Sequence, residues 1–197
     1  MNTTGLLLAA GAGRRMGTPK ALVRDADGTS WMLRSVAGLR DGGCHRVLVV
    51  LGASAHEAGA MLEGVEVGEV EVVVAENWDE GMGASLRAGL TALMDGGEEA
   101  ALVSLVDLPD VGPEVVRRLL DRAVTAKTLT RATYDGAPGH PVVLGRDHWA
   151  GVIDSATGDQ GARTYLSRHE VEPVECGDLA SGRDVDARPT GGQPAAE

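Results

Sequence analysis

A chain of 197 residues, 43% hydrophobic but with no Phe and only 3% aromatic residues, has room for one domain whose core is aliphatic: Leu, Val, Ala and Met. Its formal charge of −11 excludes a broad nucleic-acid-binding face, which requires a basic surface, and leaves open a local cation cluster that holds phosphate. The 28 glycines follow no short period, which excludes a collagen-like repeat.

The first apolar run, GLLLAA (5–10), predicts a strand, and SWMLRSVAGLRD (30–41) the first helix. RVLVVLG (46–52) follows as a strand, SAHEAGAMLEG (54–64) as a helix and VEVVVAE (70–76) as a strand. Then come a helix, GASLRAGLTALMDG (83–96), a strand, AALVSLVD (100–107), and a helix, PEVVRRLLDRAVTA (113–126). In the last, Val115, Val116, Leu119, Leu120 and Ala123 recur at helical spacing, with arginines on the other side. The four strands are continuously apolar, so burial on both faces of a mainly parallel sheet is expected. Strand–helix alternation of this kind predicts a doubly wound α/β fold.

Beyond residue 127 the pattern changes. TLTRATY (128–134) and HPVVLG (140–145) flank the turn DGAPG and read as a small antiparallel extension, an insertion or edge. QGARTYLSRH (160–169) reads as a short helix and VEPVE (171–175) as a last strand. ARPTGGQPAAE (187–197) has the composition of a disordered tail, which leaves one domain over residues 1–186. Cys44 and Cys176 have neither CxxC nor zinc-ligand spacing. No apolar run reaches the roughly 18 residues that span a bilayer, and MNTTG lacks the basic and apolar stretches of a secretory signal. A cytoplasmic location, without membrane or nucleic-acid partners, is expected.

The loop behind the first strand gathers the chemistry. In an open α/β sheet, ligands bind at the carboxyl ends of the strands. There Gly11 and Gly13 let backbone N–H groups approach an anion, with Arg14, Arg15 and Lys20 close behind. Gly11, Gly13 and Gly17 also fit a loose dinucleotide-binding G-x-G-x-x-x-G, yet Pro19 and DADG (25–28) delay the helix that motif requires. Neither Tyr134 nor Tyr165 has the Lys four residues on that short-chain dehydrogenases use. A Walker loop fails because Gly17 is followed by Thr18, Pro19 and Lys20. An α/β-hydrolase elbow fails at Gly83-Ala84-Ser85-Leu86, because Arg87 stands in the last glycine's place. A loop with incidental arginines does not account for glycines and cations converging behind one buried strand.

The pattern L-A-A-G-x-G-x-R-M-G-x-x-K over residues 8–20 resembles the opening of nucleotidyltransferases related to the molybdenum cofactor guanylyl- and cytidylyltransferases. The resemblance continues in ENWDEGMGASLRAGL (76–90), LVSLVDLPDV (102–111), GHPVVL (139–144) and GDQGAR (158–163), and looks most like the cytidylyltransferase branch. It implies a Rossmann-type fold like that of the nucleotide-diphospho-sugar transferases. It also implies transfer of a nucleoside monophosphate from an NTP to a phosphate monoester, molybdopterin, with release of pyrophosphate. A molybdoenzyme or its chaperone is the protein partner that goes with it.

Carried onto this sequence, the resemblance makes Arg15, Lys20 and Asp107 catalytic. Leu8, Ala9, Ala10, Gly11, Ala12 and Gly13, together with Lys20, Gly83 and Ser85, would bind the nucleotide. His140 and Asp159 would face the acceptor, and Asp107 and Asp159 would hold Mg2+. The residue types suit those roles. Arg15 offers a planar fork and Lys20 a point charge to phosphate, and magnesium takes one or two carboxylates plus phosphates. Asp107 follows the apolar run LVSLV at its carboxyl end, in the D-x-P pattern. Arg14 reads as solvated and Asp110 as the cap of the next helix. Asp186 is a more distant metal candidate, since Asp186-Ala187-Arg188-Pro189 departs from the family's Asp-Thr-Pro-Glu-Asp.

Two cues to the base oppose each other. Ala10 in LAAG, where guanylyl transferases have LAGG, narrows the room for a purine and favours CTP. Asp107-Leu108-Pro109, where the cytidylyl branch has Asp-Gln-Pro, is nearer the guanylyl pattern. Guanylyl transfer or a sugar-phosphate acceptor is the alternative within the class. A non-catalytic nucleotide- or pterin-binding chaperone is the alternative outside it, although a binder has no need of a metal carboxylate.

Overall fold

The computed structural model describes residues 2–63 and 70–185; Asp186 and the tail expected over 187–197 lie outside them. The strands are β1 (Thr3–Leu8), β2 (Arg46–Leu51), β3 (Val70–Val74), β4 (Ala100–Leu105), β5 (Leu129–Tyr134), β6 (Ala137–Gly145) and β7 (Glu172–Glu175). They form one sheet in the order β3-β2-β1-β4-β6-β5-β7. β1 pairs in parallel with β2 and β4, β2 with β3, and β5 with β7; β6 alone runs against its neighbours β4 and β5.

The hairpin of β5 and β6 is therefore not an edge. Its apolar stretch Pro141–Gly145 is buried and fills the middle of the sheet, beside β4. The edge falls to β7, whose exposed Glu172, Pro173 and Glu175 suit a strand with one open side. The other edge corrects a second expectation. Among the described residues β3 has only β2 beside it, and its Glu71, Val72 and Val74 are exposed, so this valine run is not buried on both faces.

The helices are α1 (Trp31–Asp41), α2 (Ala55–Glu63), α3 (Met82–Leu93), α4 (Pro113–Leu120), α5 (Arg146–Ser155) and α6 (Arg163–Leu166). Ser30 starts α1, its hydroxyl accepting the Leu33 N–H at 3.4 Å. α4 ends six residues before its expected end at 126. Thr125 and Thr128 offer the chain an alternative there: the Thr128 N–H bonds the Thr125 carbonyl at 3.0 Å, and the Thr125 N–H bonds the Thr128 hydroxyl at 2.9 Å. α5 has no counterpart in the expected elements, because its sequence RDHWAGVIDS buries only Trp149 and Val152.

Alternating side chains of each central strand feed two cores. Leu7, Val47, Val49 and Leu102 pack with α1 and α4 on one face. Leu6, Leu48, Val50 and Val103 pack with α3 and α5 on the other, where Trp149 is fully buried and its indole N–H donates to the Leu144 carbonyl at 2.8 Å. Helices on both faces of a mostly parallel sheet make the doubly wound α/β fold. Among the described residues, no helix is long and apolar enough to cross a membrane.

Glu175 ties β7 to the hairpin turn. Its carboxylate accepts the N–H groups of Gly177 (2.8 Å), Asp135 (2.9 Å) and Gly136 (3.0 Å) and the Thr133 hydroxyl (2.9 Å). These bonds, from Gly177 and Gly136 first, hold its pKa down to about 2 from an ordinary 4.5. A depressed carboxylate contributes stability that is complete above its unfolded pKa and is lost as pH falls through the folded one. The melting-temperature gap between the wild type and Glu175→Ala should therefore be constant above about pH 5.5 and shrink toward pH 2. A gap unchanged across that range would show that the charge is not what the turn uses.

Candidate active site

After β1 the chain stays extended. The Ala9 N–H donates to the Val50 carbonyl at 2.9 Å, and the Ala10 carbonyl accepts the Ala53 N–H at 3.1 Å. The chain then enters the glycine loop, which folds back on itself through Met16 N–H to Gly13 O (2.8 Å) and Lys20 N–H to Gly11 O (3.1 Å). Gly13 has a φ of +57°, and a Cβ on it would collide with the Thr18 carbonyl. Met16 and Ala21, both buried in the core shared with α1, pin the two ends of the loop. Lys20 opens a short 3-10 turn, Lys20–Leu22.

Two residues beyond β4, Asp107 is 7% exposed. The Lys20 ammonium donates to its carboxylate, so the glycine loop and the end of β4 are joined by a partly buried ion pair. The Val106 N–H bonds Leu8 O at 3.2 Å, which places the two strand ends side by side. Across from them stands the first turn of α3, carrying buried Ser85. Loop 158–161, with Asp159, approaches that helix so closely that a Cβ on Gly81 would lie 2.6 Å from the Asp159 Oδ1.

These elements enclose a cavity of about 510 Å3. Leu8, Ala10, Gly11, Ala12 and Gly13 line it, as do Arg15, Lys20, Ser85, Asp107 and Asp159. Three of the expected site residues are elsewhere. Ala9 points into the core. Gly83 lies beneath the end of α5, where a Cβ would be 2.8 Å from the Thr157 nitrogen. His140, on β6, does not line the cavity; its carbonyl accepts the Tyr134 hydroxyl at 2.6 Å, and its peptide bond to Pro141 is cis. Burial, with the Arg131 charge added, pushes the His140 pKa down to about 4, so its ring is neutral at pH 7.

Other residues join the wall. Arg14, expected to be solvated, is exposed but borders the cavity, and Met82 lines it as well. Trp78, Asp79 and Asp184 also line it, from loops that sequence periodicity does not describe. Asp184 is two residues before Asp186, the more distant metal candidate, in a segment held to the site by Val185 N–H to Asp107 O at 3.0 Å. Asp110 anchors that segment. Its carboxylate accepts the N–H and the hydroxyl of Ser181, both at 2.6 Å, whereas Gly112 caps α4.

The electrostatics are divided: cations on the glycine loop, carboxylates just beyond β4, beside Trp78, on loop 158–161 and on the 184 segment. Among the described residues, no three His, Cys, Asp or Glu side chains come close enough to hold an ion by themselves. An all-oxygen set of this kind fits a hard ion such as Mg2+, which completes its shell with phosphates and water. A glycine loop with cations, facing carboxylates at the carboxyl ends of parallel strands, defines the class: an α/β protein that holds a nucleotide by its phosphates.

Residues 5–174 match the family described as the MobA-like NTP transferase domain. The chain belongs to that family and is an enzyme of the nucleotidyltransferase class. It is 35% identical over 193 residues to the nicotine blue oxidoreductase of Paenarthrobacter nicotinovorans, covering 93% of this chain and 91% of that one. It is 25% identical over 178 residues to a probable molybdenum cofactor guanylyltransferase of Mycobacterium avium (strain 104), covering 88% and 85%. The crystal structure of Rv0371c from Mycobacterium tuberculosis H37Rv superposes with a TM-score of 0.75 at 28% identity, covering 95% of this chain and 93% of that one. The structure of the Rv0371c complex with manganese superposes at 0.69, with 26% identity and 89% of each chain covered.

Gly52 supports the cavity without lining it. A Cβ there would lie 2.5 Å from the Trp78 Cβ and 2.8 Å from the Ala10 Cβ, so Gly52→Ala must push one wall residue aside. Overpacking of this kind costs about 1–3 kcal/mol. Equilibrium titration with a nucleoside triphosphate should show weaker binding by Gly52→Ala, about tenfold, in a protein that still folds; unchanged affinity would mean that Trp78 and Ala10 are not part of the nucleotide wall.

Proposed function

We propose that this enzyme transfers a cytidylyl group from CTP to a phosphate monoester, molybdopterin, using Mg2+ and releasing pyrophosphate. The observation that carries the reading is the meeting of Lys20 with buried Asp107 beneath the glycine loop, at the ends of β1 and β4. In such a transfer an acceptor phosphate oxygen bonds to the α-phosphorus, the bond from that phosphorus to its bridging oxygen breaks, and negative charge grows on the pyrophosphate. The N–H groups of the glycine loop, the Arg15 guanidinium and the Lys20 ammonium bind the triphosphate and neutralise that charge. The ion pair with Asp107 holds Lys20 in position beforehand. Asp107, with Asp159, would hold Mg2+, which supplies Lewis-acid charge neutralisation at the phosphates when bound. The manganese complex of Rv0371c supports a divalent ion, and the name of the Mycobacterium avium relative supports a molybdopterin acceptor. A cytoplasmic location goes with this reading.

CTP is favoured by Ala10, whose side chain stands in the cavity wall. GTP is favoured by Asp107-Leu108-Pro109 and by the relative named as a guanylyltransferase. A second reading, oxidoreduction, rests on the 35% identity with nicotine blue oxidoreductase. Carboxylates facing a cation-bearing glycine loop suit a metal-bound triphosphate, which favours the first reading.

Equilibrium binding of the four triphosphates with Mg2+ should rank CTP first; a GTP preference would transfer the proposal to guanylyl transfer. Pyrophosphate release with a phosphorylated pterin should fall about a hundredfold or more in Asp107→Asn, with nucleotide binding measured without metal changed far less. Near-normal turnover of that variant would remove Asp107 from the metal role. Oxidation of a nicotinamide cofactor without any pyrophosphate release would favour the second reading.

A further inference from the structure

Two of the loops that wall the cavity have little core packing of their own. The 3-10 turn Trp78–Glu80 contains no buried residue, and Trp78 itself is only partly buried against the core. Residues 157–160, which carry Asp159, are all exposed between buried Ala156 and buried Gly161. With so few apolar contacts, polar ties carry more of the work of placing Trp78 and Asp159.

Both loops are tied to one side chain. Arg87 of α3 donates from Nη1 to the Ala156 carbonyl at 2.6 Å and from Nη2 to the Glu80 carboxylate at 2.9 Å. Ala156 caps the C-terminus of α5, where carbonyls lack helical partners and carry the negative end of the helix dipole. Helical spacing explains the position of the arginine: it is four residues beyond Gly83 and on the same face of α3. A Cβ on Gly83 would lie 2.8 Å from the Thr157 nitrogen and 2.9 Å from the Ala156 carbonyl carbon, so its absence lets that chain lie against the helix. Arg87 takes the carbonyl one turn later. Among the described residues, this is the one hydrogen bond from α3 to residues 156–161. The Arg87–Glu80 pair is exposed, at 31% and 54%, and such pairs add little to stability. What it supplies is geometry: two nitrogens of one planar fork hold two partners at a fixed spacing, which a single ammonium does not do.

We propose that Arg87 is a positioning residue for the transfer: by holding Glu80 and the Ala156 carbonyl on one guanidinium, it sets the distance between Trp78, in the base wall, and Asp159, on the metal and acceptor side. The roles of Trp78 and Asp159 rest on the nucleotidyl-transfer reading above. Arg87 does not line the cavity, so it acts through those two residues and not by touching the nucleotide.

Mn2+ alone, read by its paramagnetic resonance signal, probes the Asp159 side. KM for the triphosphate that the wild type prefers probes the Trp78 side, and kcat probes both together. Glu80→Gln frees only the Trp78 turn: KM should rise about fivefold, with Mn2+ affinity within about twofold of the wild type. Arg87→Gln frees both loops: Mn2+ affinity should fall about fivefold and kcat about tenfold or more, with KM raised as in Glu80→Gln. Loss of a positive charge by itself would strengthen Mn2+ binding, so a fall is the mark of a displaced Asp159. Arg87→Lys, whose ammonium serves one partner at a time, should fall between and melt close to the wild type. Measured well below melting, an arginine that only supported the fold would leave Mn2+ affinity and both kinetic constants as they are. Wild-type Mn2+ affinity and kcat in Arg87→Gln, or in Arg87→Lys where the glutamine variant does not fold, overturn the role. Equal effects of Glu80→Gln and Arg87→Gln on all three readouts overturn it as well. No pyrophosphate release from the wild type, with Mn2+ affinity still dependent on Arg87, overturns the transfer reading and supports the positioning role.

Discussion

The ion pair of Lys20 with Asp107 is the constraint on which the site depends. It joins the far end of the glycine loop to the end of β4, while buried Met16 and Ala21 and two turn hydrogen bonds hold the loop between. Asp107 is almost wholly buried, so removing the ammonium leaves a carboxylate without its counter-charge, a change that typically costs about 3–5 kcal/mol. Lys20 thus serves stability as well as the candidate chemistry, and a loss of activity in its alanine variant would have two causes to separate. Asp107→Asn breaks the pair too, but it keeps the shape of the side chain and leaves the remaining charge on Lys20, the more exposed of the two partners.

The cations gathered beside that pair are what would let an acidic protein take a triphosphate. At a net charge of −11 the molecule as a whole repels an anion, but at physiological salt charges are screened over about 8 Å. What an arriving triphosphate meets is therefore local: Arg14, Arg15 and Lys20 on one side of the cavity. The carboxylates on the other side would repel it unless a divalent ion stood between. On the proposed reading, Asp107, Asp159 and Asp184 would share the cavity with an anion only through such an ion, which is the physical argument for a metal that the residues give by themselves.

The fold was legible wherever a segment was both long and buried. β1, β2 and β4 announced themselves by unbroken apolar runs, and α1 by Ser30 ahead of a periodic pattern. β3 shows where that signal fails: its valines read like those of β2, because an apolar run does not record whether a neighbour exists on each side. α5 was missed because ten residues with two buried positions carry no period to detect. The glycine loop and Asp107 were legible because local spacing and a strand end define them. Trp78 and Asp184 were not, since their place in the wall follows from tertiary contacts that bring distant loops to the same cavity.

Gly52, Ala10 and Trp78 show how such a wall divides affinity from selectivity. Gly52 lacks a side chain where the Ala10 methyl and the Trp78 ring converge, so the Ala10 methyl and the absence of one at Gly52 are complementary parts of one packing solution. An alanine at both positions would overfill the space, whereas glycine at both would leave Trp78 unsupported. Trp78 offers an aromatic surface on which a base can stack, and stacking is tolerant because every base has a π-face. Discrimination between a pyrimidine and a purine therefore falls to residues that shape the space or pair with base edges. Of those in the wall, the Ala10 methyl limits size and the buried Ser85 hydroxyl offers a hydrogen bond. On the proposed reading, a site built this way would bind any triphosphate through the glycine loop and Trp78, and would choose among them through Ala10 and Ser85.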